Sequence, residues 1–73
     1  MEQKDELTEK QMELYQAIGT FIEKNGYSPT VRELCVIVNN KSTAPVFDKL
    51  LKLKKKGYIT YVEGKARTIK LLK

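Results

Sequence analysis

At Gly57 the chain changes its hydrophobic period, and few folds accommodate such a change in 73 residues. Upstream, apolar residues recur three and four apart, the spacing that lines one face of a helix. Downstream, YITYV is β-branched and aromatic, EGKA reads as a turn, and RTIKLL alternates polar with apolar. That is the pattern of a β-hairpin. A lone hairpin is marginal in water and must lean on the helices before it. Tyr58, Ile59, Ile69 and Leu71 are its expected core contacts. The length allows one domain, burying only ~60% of the surface its unfolded chain exposes.

Punctuation upstream of Gly57 divides the helical part into three. Residues 1–7 are expected to form a flexible polar tail, with the folded domain running over 8–73. Thr8 opens a segment whose apolar face carries Leu7, Gln11, Leu14, Ile18, Phe21 and Ile22. TEKQ matches a capping box, in which the Thr8 hydroxyl takes an orphan amide and Gln11 reaches back to the cap. Gly26 supplies the left-handed stop. Pro29 holds Ser28 extended, and TVRE is a second capping box, Thr30 with Glu33. Val31, Leu34, Cys35 and Val38 form one apolar stripe before VNNK breaks the helix. Cys35 reads there as a small buried hydrophobe. Ser42 can cap a third helix, and Pro45 falls in its first turn, where a missing amide is harmless. Lys54, Lys55 and Lys56 meet the negative end of that helix.

The charge is segregated. Through Ile37 there are four basic side chains against seven acidic ones; from Val38 onward there are ten against two. A basic half on a small domain is the electrostatic footprint expected for nucleic acid. The sequence has no histidine, no phosphate-cradling glycine loop and no plausible metal cluster, so catalysis and cofactors are not expected. With a single cysteine, Cys35, there is no internal disulfide framework. No stretch approaches the roughly 18 to 20 apolar residues of a membrane span, and the charged start is not a signal peptide. The apolar stripes are needed for the core, which leaves none for a membrane surface. A cytoplasmic protein is expected.

Helix, helix, helix, hairpin is the order of a three-helix winged helix-turn-helix, mainly α with a small β element. With LTEKQMELYQAI, NGYSPTVREL, Ser42 followed by VFDKLLKLKKKGYI, and GKARTIKLL in this order, the chain resembles the N-terminal DNA-binding domain of LexA-type repressors. The resemblance runs from Leu7 to Leu72 without an obvious insertion. It implies sequence-specific binding of double-stranded DNA, with the third helix in the major groove, by a repressor or regulator of bacterial or phage type. The family's base-reading positions fall on Ser42, Ala44, Pro45, Phe47 and Asp48, and its backbone-contacting positions include Lys56 and, at the wing, Arg67. Members usually carry polar readers where this chain has Ala44, Pro45 and Phe47, so the resemblance carries the DNA-binding class and not the family's operator. The family's C-terminal dimerisation and self-cleavage domain is not in these residues. The expectation is a standalone DNA-binding domain with no self-cleavage implied.

Helical geometry divides the third helix into two faces. At ~100° per residue with Val46 at zero, Leu50 and Leu53 fall near ~40° and ~340°, an inner stripe. Phe47, Leu51, Ala44 and Asp48 fall near ~100°, ~140°, ~160° and ~200°, an outer face. Three uses of that face are open. Ala44 and Phe47 can meet thymine methyls, with hydrogen bonds from Ser42 and Thr43 and Asp48 accepting from a cytosine amino group. Phe47 and Leu51 can bind a protein, either a second copy or another regulator, as exposed apolar patches often do. Or they widen the buried stripe. For DNA, the expected phosphate contacts are Lys41, Lys49, Lys52 and Lys56, with Lys65 and Arg67 at the wing, and two copies are expected on a two-fold operator.

Overall fold

Thr8 begins the first helix as the sequence predicts. Its hydroxyl accepts from the Gln11 amide at 3.1 Å, while Gln11 Oε1 accepts from the Thr8 amide at 3.0 Å. The computed structural model describes residues 7–72, so most of the expected tail lies outside the described residues; Leu7 is half-buried against the core. Helix α1 spans Glu9–Asn25 and stops at Gly26, whose φ of 78° is the left-handed conformation of a helix end. Helix α2, Val31–Ile37, opens with the second box, Thr30 with Glu33. It ends where Asn39 takes a φ of 58°, a region asparagine tolerates better than most side chains. Helix α3, Thr43–Lys55, is capped by the Ser42 hydroxyl, which accepts from the Ala44 amide at 3.3 Å.

The hairpin consists of β1, Ile59–Thr60, and β2, Lys70–Leu71, antiparallel with Ile59 opposite Leu71 and Thr60 opposite Lys70. Its strands are shorter than the alternation of YITYV and RTIKLL predicts. From Val62 to Thr68 the chain leaves the ladder and folds around a hydroxyl: the Val62 amide donates to Thr68 Oγ1 at 2.9 Å. Gly64 at φ 79° and Arg67 at φ 57° turn the backbone there. The order of three helices followed by this flap is that of a winged helix-turn-helix.

The core forms where the three stripes meet. Leu14 and Ile18 of α1, Leu34 and Cys35 of α2, Val46, Leu50 and Leu53 of α3, and Ile59 and Ile69 of the wing are all buried. Each such aliphatic side chain contributes about 1.5–3 kcal/mol by leaving water. Cys35 has the expected place in the apolar stripe, and its thiol also donates to the Ser42 carbonyl at 3.6 Å. Leu71, expected in the core, is instead 37% exposed, because β2 lies at the rim of the packing rather than over its centre. Its Cδ1 rests above Gly19, 3.4 Å from where a Cβ would stand.

Gly19 lies inside α1, where glycine costs roughly 0.5–1 kcal/mol relative to alanine. The Leu71 methyl above it is the movable end of a half-exposed side chain. Gly19→Ala is therefore expected to raise the melting temperature by roughly 2–8 °C, a range that follows from the size of the domain. A lower melting temperature would mean that Leu71 cannot give way.

Candidate nucleic-acid interface

Burial of one side of α3 leaves the other side open. Val46, Leu50 and Leu53 are at most 2% exposed, and Ser42, Thr43, Ala44, Phe47, Asp48 and Leu51 are exposed. Phe47 at 52% and Leu51 at 39% are too open to belong to the buried stripe, which removes that use of the outer face. Phe47 borders a cleft of about 720 Å³ between the start of α2, the edge of α3 and the wing. Pro29 and Val31 line one side, Tyr61, Val62 and Lys65 the other, with Thr43 and Phe47 between.

The structure sorts the expected phosphate-binding cations by what already holds them. Lys41 and Lys65 are exposed, and Lys49 is half-buried on α3. Lys52 meets Asp48 at 3.3 Å, one turn away, with both side chains more than half exposed. Such a surface pair contributes little, so either member can turn to a ligand. Lys56 is different, because its ammonium donates to Gln11 Oε1 at 2.9 Å and ties the end of α3 to the first turn of α1. Lys54, on the last turn, donates to the Tyr61 carbonyl at 3.2 Å and stands 4.5 Å from the centre of the Tyr61 ring.

Arg67 is also held within the molecule. Its Nη1 donates to Glu33 Oε1 and its Nη2 to Glu33 Oε2, at 3.0 and 2.9 Å. Nη1 also donates to the Ser28 carbonyl at 3.0 Å, and the guanidinium lies 4.8 Å from the Tyr27 ring centre. Hydrogen bonds from Arg67 are the main reason the Glu33 carboxyl is held below its ordinary value of 4.5; the Thr30 amide adds to this, and partial burial opposes it. The same bonds push the Arg67 guanidinium up.

One cation escaped the sequence reading. Arg32 is exposed and lines the same cleft as Lys65. TVRE accounts for Thr30 and Glu33 as a cap and says nothing of the arginine between them. Its position one residue inside α2 was the available signal, because the first helix of a helix-turn-helix crosses the DNA backbone.

A carboxylate whose pKa is depressed by folding contributes stability above its unfolded value and loses it as pH falls through the folded one. The melting temperature of the wild type is therefore expected to exceed that of Glu33→Gln by a constant margin near neutral pH. That margin should shrink once pH drops below the ordinary 4.5. A margin unaffected by acid would show that the carboxylate charge does not hold the pair.

The profile of the LexA DNA binding domain family matches residues 4–68. The chain is 42% identical over 69 residues to the LexA repressor of Caldicellulosiruptor saccharolyticus, covering 94% of this chain and 34% of that protein. It is 46% identical over 65 residues to the LexA repressor of Clostridium novyi, covering 89% and 32%. Against the transcription regulator LexA of Synechocystis sp. it is 35% identical over 66 residues, covering 90% and 32%. The chain thus spans about a third of the length of these relatives.

Proposed function

The chain belongs to the LexA DNA-binding domain family, and from that premise we propose that it binds duplex DNA sequence-specifically and acts as a bacterial or phage transcriptional repressor. Helix α3 enters the major groove with its outer face toward the bases. The observation that carries this reading is the split of α3 into a buried side and an open side beside the wing cleft. Ala44 and Phe47 offer apolar surface to thymine methyls, and Ser42 and Thr43 offer hydroxyls. Asp48 accepts from a cytosine amino group by turning from Lys52. Lys41, Lys49, Lys52 and Lys65, joined by Arg32, take phosphates and fix the register.

Apolar readers give this surface a preference unlike that of a polar one. A buried methyl is worth about 0.8 kcal/mol, so each contacted thymine contributes about fourfold in affinity. One domain of this size reads few base pairs. Two copies on half-sites about 34–36 Å apart, one turn of duplex, extend the reading.

Selection from a random duplex library yields the preferred site, and uracil then replaces each thymine in turn. Affinity is expected to fall about fourfold at the contacted positions. Phe47→Ala should abolish that sensitivity at the positions Phe47 meets while retaining binding to non-specific duplex. Lys65→Ala and Arg32→Ala should each flatten the dependence of log affinity on log salt by about 0.9, the contribution of one phosphate. Failure to retain any duplex at low salt would sink the proposal. If Phe47→Ala abolished self-association and left base preference intact, the outer face would be a protein interface.

A further inference from the structure

Arg67 occupies a place in the wing that needs an explanation. Its φ of 57° lies in the left-handed region that side chains other than glycine rarely adopt. The hairpin around it has only two paired residues on each strand, too few to hold itself in place. What holds the second strand is a set of contacts to the segment joining α1 and α2 and to the first turn of α2. The Arg67 guanidinium grips Glu33 with two parallel hydrogen bonds and reaches the Ser28 carbonyl. Two residues on, the Ile69 amide donates to the buried Ser28 hydroxyl at 3.1 Å. The Tyr27 ring stands beside the guanidinium. Three of the five guanidinium donors are in use, and the Glu33 carboxylate offsets the charge.

We propose that Arg67 serves DNA binding as a positioning residue: it locks the wing to the start of α2 and so sets where Lys65 meets the phosphate backbone. This rests on the DNA-binding reading above and assigns Arg67 a different part from Lys65 within it. A fork-to-fork arginine–carboxylate pair fixes orientation as well as distance, which a lysine in the same place would not do. Lys65 lies two residues before the locked position on the exposed turn, so its reach follows from the lock.

The two roles for Arg67 predict opposite signs for Glu33→Gln. If Arg67 bound phosphate, Glu33 would compete with DNA for it, and neutralising the carboxylate would tighten binding. If Arg67 is a brace, the same change loosens the wing and weakens binding. Glutamine suits the test because it preserves the cap: Gln11 fills the equivalent place in the box of α1. At fixed salt, Glu33→Gln is expected to raise the Kd for duplex DNA about fivefold, and to add little in a Lys65→Ala background, the non-additivity of residues acting as a unit. Equal or tighter binding by Glu33→Gln, or a loss that persists undiminished without Lys65, would overturn the proposal. Should the variant melt, the nitrogen resonances of the Arg67 guanidinium in the wild type decide. They are expected to hold still as duplex is added, and a shift typical of a phosphate contact overturns the brace. A wild type that retains no duplex overturns the DNA-binding reading first and the brace with it, a result distinct from all of these.

Discussion

Both other helices and the first strand of the wing pack against one side of α3. Val46, Leu50 and Leu53 are the surface they share. A chain of this size has little apolar area to spare, so the inner stripe is committed to holding the fold. The outer side is thereby released from any structural duty. Ala44, Phe47, Asp48 and Leu51 can vary without disturbing what lies beneath them, and in this chain three of the four are apolar.

What could be read from the sequence was what local spacing determines. The two capping boxes, the Gly26 stop, the stripe of α3 and the change of period at Gly57 all involve residues a few positions apart. Each appears in the structure where it was expected. What could not be read were the pairings between distant residues. Arg67 with Glu33, Ile69 with Ser28 and Lys56 with Gln11 join positions 34, 41 and 45 residues apart. A lysine or arginine bound within the molecule looks, in sequence, like one left free for a ligand. Phe47 was ambiguous for another reason: at ~100° from the centre of the stripe it stands on the border between buried and exposed faces. Packing decided it, because the inner stripe was already filled.

The charge segregation of the sequence acquires a shape in the fold. The acidic half contributes Glu33, which is used to hold the wing. The basic half divides between lysines that secure the C-terminal end of α3, an arginine held by Glu33, and exposed lysines such as Lys41 and Lys65. Total positive charge therefore overstates the charge available to a polyanion. Where the cations are fastened matters as much as how many there are.

Gln11 illustrates how pattern and chemistry can disagree. It sits 6% exposed in a stripe with Leu14 and Ile18, so a designer working from hydrophobic patterning would put leucine there. Yet its single carbonyl oxygen accepts both the Thr8 amide that starts α1 and the Lys56 ammonium that closes α3. A leucine would improve the pattern and remove the acceptor both groups use. Library designs for this scaffold that diversify the outer face of α3 would do well to hold Gln11 constant, since the rigidity of the displayed helix is anchored at the opposite end of the chain.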